Sequence, residues 1–296
     1  MQSIKPACVN ICCACNDNYA PPLAVCLYSL LCNADKSRLY DIVVLHSDIS
    51  QESRENLLRV GGLFPNCTLR LVDMTEFHER VKGCSGSYIT EETNYRLAIL
   101  GKLFAEYDRV VYLDCDAIVE GDISQLFDTD LCGNAVGGAV ATDIRLLRYT
   151  KKGFFVDNKP YNIEGYAKNF MDITDLDRYF NAGVTLFDLR KCRELTSEQE
   201  AVELLNRRRW MYNDQDVLNM LFKGNVHIFD IKWNYTVNIE HEFAYCDQRI
   251  QRLMADVRRN EYGIIHYTGG EKPWNKAVPL GEHYQKYADK LKEVLS

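Results

Sequence analysis

The stretch Arg109-Val-Val-Tyr-Leu-Asp114-Cys-Asp116-Ala-Ile-Val119 decides the fold prediction, because a short apolar run there contains two closely spaced carboxylates. Short apolar runs bounded by polar residues predict a buried strand. Side chains two positions apart in a strand point to the same side, so Asp114 and Asp116 are expected to project together where the strand ends. Two like charges held this close favour a bound cation. For an isolated pair, a simpler interpretation stays open, in which one carboxylate caps a turn and the other is solvated.

Length and composition predict a soluble globular protein. The 296 residues, of which 47% are hydrophobic and 26% charged, are enough to bury the core of one large α/β domain. No apolar run approaches the roughly 20 residues that span a bilayer, and the N-terminus lacks the charged and apolar segments of a signal peptide. The expected location is therefore the cytoplasm. The net charge of −7 argues against nucleic acid or an anionic membrane surface as the main partner.

The twelve cysteines raise the question of a disulfide or zinc site, above all at Cys12 and Cys15, which have Cys-x-x-Cys spacing. Both residues lie in an apolar run that predicts a strand. Positions i and i+3 of a strand face opposite ways, so this pair is not expected to share one metal. We therefore predict buried free thiols that behave as small hydrophobic side chains, in keeping with a reducing compartment.

Strand and helix signals alternate through the first half of the chain, which predicts an α/β sheet covered on both faces. Strands are predicted at 8–15, 42–46, 68–72, 109–113, 135–141, 180–189, 226–230 and 263–267. Helices are predicted at 21–33, 51–58, 90–107, 197–208, 213–223 and from 283 onward, with a short one after Gly121.

Residues 142–178 lack any sustained periodicity and are predicted to form an irregular excursion. Long loops of this kind in compact enzymes are usually functional. The chain contains no repeat or linker, so residues 1–296 are predicted to form one domain with a C-terminal helical decoration.

Polar clusters follow four of the predicted strands, where ligands of open α/β sheets bind. They are Asn16-Asp-Asn-Tyr19, Asp114-Cys-Asp116, Thr142-Asp143 and the segment from His266 to Trp274. Each cluster alone has an ordinary explanation, such as a turn or a structural histidine. Their repetition at one edge of the sheet predicts a site.

The chemistry expected of this site starts from the cation. Asp114, Asp116 and His266 would supply three ligands to an octahedral ion and leave positions for two oxygens of a diphosphate. An imidazole ligand favours manganese over magnesium, although magnesium stays possible. Backbone N–H groups at Gly269 can approach phosphate oxygens closely, and Lys272 carries a positive charge to the same place. The expected leaving group is a nucleotide diphosphate.

Five segments in order resemble the signature of the family 8 retaining glycosyltransferases, which include bacterial lipopolysaccharide galactosyl- and glucosyltransferases and glycogenin. The segments are Asn16-Asp-Asn-Tyr-Ala20, Tyr112-Leu-Asp-Cys-Asp116, Phe180-Asn-Ala-Gly-Val184, Tyr212-Asn-Asp-Gln-Asp-Val-Leu-Asn219 and His266-Tyr-Thr-Gly-Gly-Glu-Lys-Pro-Trp274. The resemblance covers about residues 8–275, leaving 276–296 as a C-terminal helix. It implies a single Rossmann-like nucleotide-sugar-binding domain of the GT-A type with a mixed, mainly parallel sheet.

The resemblance also implies a role for residues at the matching positions. The nucleoside would contact Ala14, Asn16 and Asn18, and the manganese and diphosphate would contact Asp114, Cys115, Asp116, His266, Gly269 and Lys272. The donor sugar would contact Arg96. Around the transferred sugar and the acceptor would lie Asn181 and the residues expected to be catalytic, Asp143, Asp214 and Gln215. Ala182 would also belong to the donor-binding residues.

The implied reaction moves a hexose from UDP-galactose or UDP-glucose to a saccharide or glycolipid, as in lipopolysaccharide-type glycan synthesis. Gln215 stands where a retaining enzyme would carry a nucleophile, and a neutral amide is a poor one, so front-face transfer is favoured over double displacement. The chain ends at Ser296 without the basic, aromatic tail of many relatives, so contact with the inner membrane face lacks support from the C-terminus. A glycogenin-like self-glucosylating primer and a catalytically silent sugar-nucleotide-binding protein remain alternatives.

Overall fold

The computed structural model describes residues 8–81, 90–237, 240 and 247–296. The strands are β1 (Val9–Ala14), β2 (Tyr40–His46), β3 (Cys67–Asp73), β4 (Arg109–Leu113), β5 (Ala117–Val119), β6 (Val136–Val140), β7 (Phe154–Val156), β8 (Lys159–Tyr161), β9 (Phe180–Asp188), β10 (Val226–Ile228), β11 (Tyr235–Thr236) and β12 (Ile264–His266).

The α-helices are α1 (Ala20–Asn33), α2 (Gln51–Gly62), α3 (Thr75–His78), α4 (Ile123–Phe127), α5 (Thr142–Thr150), α6 (Ile163–Met171), α7 (Leu189–Leu195), α8 (Glu198–Asn206), α9 (Asp214–Leu221), α10 (Gln248–Arg259) and α11 (Gly281–Leu295). Short 3-10 helices occur at Asp17–Tyr19, Glu91–Leu100, Lys102–Phe104, Leu176–Arg178 and Ile231–Asn234. Among these residues, no helix is both long enough and apolar enough to cross a bilayer.

A seven-stranded sheet in the order β10-β6-β9-β4-β1-β2-β3 forms the centre of the fold. Strands β4, β1, β2 and β3 run parallel to one another, and β10 runs parallel to β6. Only β9 is reversed in this sheet, since it pairs antiparallel with both β4 and β6. The mixed, mainly parallel sheet of the prediction is thus confirmed.

A three-stranded sheet in the order β11-β12-β5 brings the C-terminal part of the chain to the end of β4. Strand β5 begins immediately after Asp116 and pairs antiparallel with β12, so that His266 lies opposite Ala117. The register of this small sheet therefore places a histidine beside the two carboxylates.

The two faces of the central sheet are covered by separate apolar clusters. Cys12 packs in one cluster, whereas Cys13 and Cys15 pack in the other, as expected from strand alternation. The ten cysteines within the described residues are all free. The prediction that the cysteine side chains are buried is wrong for Cys132, which is exposed at a turn. Cys84 and Cys246 lie outside the described residues.

The helix predicted over 90–107 is instead wound as two 3-10 helices separated by Gly101. Every residue from Asn94 to Leu100 is buried, so the segment has no solvent-facing side of the kind that an amphipathic α-helix needs. Gly101 has an extended backbone, and a Cβ there would collide with the Glu198 side chain. Glycine at this position thus lets α8 pack closely against the segment.

The prediction of an irregular excursion at 142–178 is wrong, because α5, the β7–β8 hairpin and α6 all lie within it. Helices α5 and α6 have nine residues each, too few to show a clear period in the sequence. Pro160 is tolerated within β8 because β7 and β8 form an isolated two-stranded hairpin. Helix α7, which follows β9 directly and is capped by Asp188, was also not predicted from the sequence.

Candidate active site

One cavity at the carboxyl ends of β1 and β4 is lined by most of the predicted site residues. Those lining it are Ala14, Arg96, Asp114, Cys115, Asp116, Asp143, Asn181, Asp214, Gln215, His266, Gly269 and Lys272. They come from seven separate parts of the chain, so the fold brings together the clusters seen in the sequence.

The backbone fixes the two carboxylates between the large and the small sheet. Asp114 donates its N–H to Gly183 O at 2.8 Å, and Asp116 O accepts from Tyr267 N at 2.9 Å. His266 Nε2 consequently lies 3.0 Å from Asp116 Oδ1 and 3.7 Å from Asp114 Oδ2. The imidazole is almost fully buried, whereas both carboxylates remain partly open to the cavity.

The hydrogen bonds behind His266 determine which ring nitrogen carries the proton. Asn234 Nδ2 donates to Asn181 Oδ1 at 2.8 Å, so the amide oxygen of Asn234 faces His266 Nδ1 at 2.8 Å. Nδ1 therefore donates, and Nε2 is the ring nitrogen that faces Asp114 and Asp116. Amide or carbonyl partners orient metal-binding histidines in the same way.

The arrangement fits a divalent cation. The ligand atoms of Asp114, Asp116 and His266 lie within 4.8 Å of one another. A Cβ added at Gly183 would lie 2.2 Å from His266 Cε1 and 2.6 Å from Asp114 Oδ2, so only glycine leaves the space between them. Two carboxylates and one neutral imidazole suit an ion such as manganese.

Lys272 lies on the other side of Asp116. Its ammonium group contacts Asp116 Oδ2 and donates to Tyr267 O at 2.7 Å. Burial raises the pKa of Asp116, but Lys272 and His266 outweigh burial and hold that pKa well below its usual range. Burial likewise lowers the pKa of Lys272, and Asp116 more than compensates. The pair stays charged, and Lys272 is available to an anion in the cavity.

Arg96 bridges two carboxylates from different parts of the fold. Its Nη2 donates to Asp114 Oδ1 at 2.9 Å, its Nε lies 2.7 Å from Asp214 Oδ2, and its guanidinium stacks 4.3 Å from the Tyr112 ring centroid. Burial raises the pKa of Asp214 to about 6 even though Arg96 opposes the shift. Arg96 thus supplies the positive charge that pairs with both carboxylates at this end of the cavity.

Asp214 and Gln215 begin α9, where backbone N–H groups and side chains point out of the helix end. Gln215 Oε1 accepts from Ala182 N at 3.0 Å, which docks the helix on β9. Asp143 lies in the first turn of α5; burial raises its pKa, although a hydrogen bond from Tyr212 opposes the shift.

Three predicted residues do not line the cavity. Asn16 caps the 3-10 helix Asp17–Tyr19 by accepting from Tyr19 N at 3.1 Å, and Asn18 is exposed on that turn. The turn chemistry of Asn-Asp-Asn explains both positions. The Ala182 side chain is fully buried within β9, and its contribution to the site is a backbone N–H.

Several residues of the site were not predicted from the sequence. Tyr19, Tyr112, Gly183, Tyr212 and Thr268 line the cavity from within the motifs themselves, whereas Cys15, Thr90, Thr93 and Thr236 line it without any motif. Trp274, the last residue of the segment that begins at His266, packs between Tyr19 and Tyr284 at centroid distances of 5.8 and 5.5 Å. No sequence pattern pointed to Asn234, because its role depends on contacts with residues that are far away in the chain.

The mixed sheet and this site together define a glycosyltransferase with the GT-A type of fold. The model of the family described as glycosyl transferase family 8 matches residues 10–277, and the chain therefore belongs to that family. Family membership supports a retaining glycosyltransferase.

Relatives and solved structures agree with this assignment. General stress protein A of Bacillus subtilis (strain 168) is 26% identical over 92% of this chain and 90% of its own length. Lipopolysaccharide 1,2-glucosyltransferase of Escherichia coli (strain K12) is 28% identical over 95% of this chain and 77% of its own. The structure of the galactosyltransferase LgtC with donor and acceptor sugar analogs has a TM-score of 0.73 at 27% identity, covering 95% of this chain and 96% of that one.

A further structure, the apo form of the bifunctional glycosyltransferase WbbM, has a TM-score of 0.87 at 25% identity over 97% of this chain. The match covers 50% of that longer chain, so this chain spans about half of its length.

Proposed function

We propose that this enzyme is a metal-dependent transferase that moves galactose or glucose from a UDP-sugar to a hydroxyl group of a saccharide or glycolipid acceptor, with retention of configuration. The observation that carries the proposal is the position of His266 Nε2, which faces Asp114 and Asp116 inside the cavity. Relatives named as lipopolysaccharide glucosyl- and galactosyltransferases support the choice of hexose and of acceptor class.

Asp114, Asp116 and His266 would hold the metal, for which manganese is proposed. A bound divalent cation would supply Lewis-acid stabilisation of the charge that develops on the leaving diphosphate. Lys272, held against Asp116 and Tyr267 O, would bind the same diphosphate as a fixed positive charge. Interactions that strengthen as charge develops on the leaving group lower the barrier rather than only tightening substrate binding.

The residues at the other end of the cavity support front-face transfer. Double displacement needs a carboxylate nucleophile on the side of the sugar opposite the leaving group. The Asp214 carboxylate is buried beside Arg96, and Gln215 is a neutral amide with its oxygen already accepting from Ala182 N. These side chains are better suited to hold the sugar and stabilise its positive charge than to attack it.

The remaining polar groups are assigned to the acceptor. Asp143 and Asn181 line the cavity, and Thr142 and Thr236 lie there with hydroxyl oxygens 2.5 Å apart. Hydroxyl and amide groups of this kind suit a sugar, which presents hydroxyls as both donors and acceptors. Synthesis of a cell-surface glycan from the cytoplasmic side of the membrane is the proposed setting.

The test is a thermal-shift screen of UDP-galactose, UDP-glucose and their N-acetyl forms, each with and without manganese, followed by measurement of UDP release. We expect one hexose donor to stabilise the protein only with the metal and to be hydrolysed slowly. Absence of UDP release from every donor would contradict the proposal and favour a silent binding protein. Intact-mass ladders spaced by one hexose would instead identify the protein itself as the acceptor.

A further inference from the structure

The side-chain amide of Gln215 is held at both ends. Its Oε1 accepts from Ala182 N at 3.0 Å, and its Nε2 donates to the Tyr179 hydroxyl at a longer 3.4 Å. A backbone N–H can only donate, so the amide oxygen has to face Ala182 and the amide nitrogen has to face Tyr179. The orientation of the amide is therefore determined by its partners.

Tyr179 can accept from Gln215 because its own proton is used elsewhere. Its hydroxyl donates to Asp216 Oδ1 at 2.6 Å, which leaves the oxygen lone pairs for the amide. Asp216 is completely buried, and its Oδ2 accepts from the Tyr166 hydroxyl at 2.7 Å and from Tyr212 N at 2.9 Å. The hydrogen bonds thus run in one direction from Gln215 through Tyr179 to Asp216.

The elements that carry this chain of hydrogen bonds are locked together. Asn219 on α9 accepts from Phe180 N and donates to Phe180 O, both at 2.9 Å. Asn213, immediately before α9, has a φ of 43°, a strained value for a residue other than glycine. A strained backbone conformation persists only where surrounding contacts hold it in place. The start of α9 is therefore held in position by the hydrogen bonds that connect this helix to its neighbours.

We propose that Tyr179 is a positioning residue for transfer, which orients the Gln215 amide toward the sugar through a hydroxyl aligned by Asp216. The inference rests on the proposed function, in which Gln215 contacts the transferred sugar. The nucleotide is assigned to the opposite end of the cavity, at Asp116 and Lys272. Loss of the Tyr179 hydroxyl should therefore lower kcat and leave the donor KM almost unchanged.

Two variants that each remove one hydroxyl from the same carboxylate test the proposal. Tyr179→Phe deletes the group that touches Gln215, whereas Tyr166→Phe deletes a hydroxyl that instead bonds Asp216 and Met211 N. For Tyr179→Phe we expect kcat to fall by about 10- to 100-fold, the scale of a small misplacement in an active site. For Tyr166→Phe we expect a change below about threefold, since Gln215 keeps both partners. Equal losses in the two variants would overturn the positioning role.

A second readout does not depend on turnover. The side-chain NH₂ signals of Gln215, assigned in an NMR spectrum of the full protein by their absence in Gln215→Glu, should shift in Tyr179→Phe and stay in place in Tyr166→Phe. If the wild type releases no UDP from any donor, the proposed function fails, yet these signals still decide whether Tyr179 orients the amide. Unchanged signals in Tyr179→Phe would refute the positioning role.

Asp216→Asn provides a second test of the same hydrogen bonds if Tyr179→Phe does not fold. The oxygen of the new amide would face the two donors on the Oδ2 side, so its NH₂ group would meet the Tyr179 hydroxyl. That hydroxyl would lose the acceptor of its proton, and the Gln215 signals should shift here too. A spectrum identical to the wild type in this folded variant would also overturn the proposal.

Discussion

His266 Nε2 lies 3.0 Å from Asp116 Oδ1, because the antiparallel pairing of β12 with β5 sets His266 opposite Ala117. A histidine contributed by the C-terminal part of the chain thus completes a group of ligands begun at the end of β4.

Replacing Asp116 by asparagine should abolish manganese binding and transfer. The change removes one anionic ligand and the charged partner of Lys272 while keeping the shape of the side chain. Calorimetric titration with manganese and a UDP-release assay would measure both effects, and thermal unfolding would show that the variant folds. Asp128→Asn, which alters an ion pair with Arg38 at the surface, serves as the matched control. Wild-type turnover in Asp116→Asn would rule out the metal assignment.

Replacing Gly183 by alanine should displace the ligands without unfolding the protein. The new Cβ would lie 2.2 Å from His266 Cε1 and 2.6 Å from Asp114 Oδ2, so both side chains have to move. We expect the thermal stabilisation by manganese to disappear. Gly62→Ala is the control, since no atom lies within 4 Å of its Cβ and alanine favours a helix by about 0.5–1 kcal/mol. Equal manganese stabilisation in Gly183→Ala and the wild type would contradict the geometry.

Replacing Asn234 by leucine should weaken manganese binding by about 10- to 100-fold, as loss of groups that orient metal ligands usually does. The variant removes the oxygen that faces His266 Nδ1 and the amide group that donates to Asn181. Leucine is similar in volume, so the loss of orientation is separated from the loss of packing. The measurement is again calorimetry, and an unchanged affinity would show that the imidazole needs no such partner.

The contribution of Asp214 to stability should decline as the pH rises from about 4 to about 6. Burial raises its pKa in the folded protein to about 6, above the value of about 3.9 for an unfolded chain, so the folded state binds this proton more tightly. The stabilisation is therefore complete below pH 4 and is lost as the pH rises through the folded pKa.

Urea unfolding of the wild type and of Asp214→Asn, both with a chelator to exclude metals, would measure this dependence. The difference in the free energy of unfolding should favour the wild type most at low pH and shrink toward pH 6. A difference that grows over the same range would mean that pairing with Arg96 outweighs burial.

The sequence by itself determined the parts of this protein that depend on neighbouring residues. Apolar runs with a strand period gave β1, β2 and β4, and the sequence placed Asp114 and Asp116 together where β4 ends, although both lie in the turn between β4 and β5 rather than in a strand. Alternation also separated Cys12 from Cys15 onto opposite faces of the sheet. These features follow from local backbone geometry, which repeats every two residues in a strand.

The tertiary structure alone decided which distant groups meet. The reversal of β9 puts Gly183 between Asp114 and His266, and packing selects a 3-10 winding that buries Arg96 between two carboxylates. Asn234 and Tyr179 act only through partners far away in the chain. Such contacts depend on strand register and helix docking, which minimise the free energy of the whole fold rather than of any one segment, and no local pattern records them.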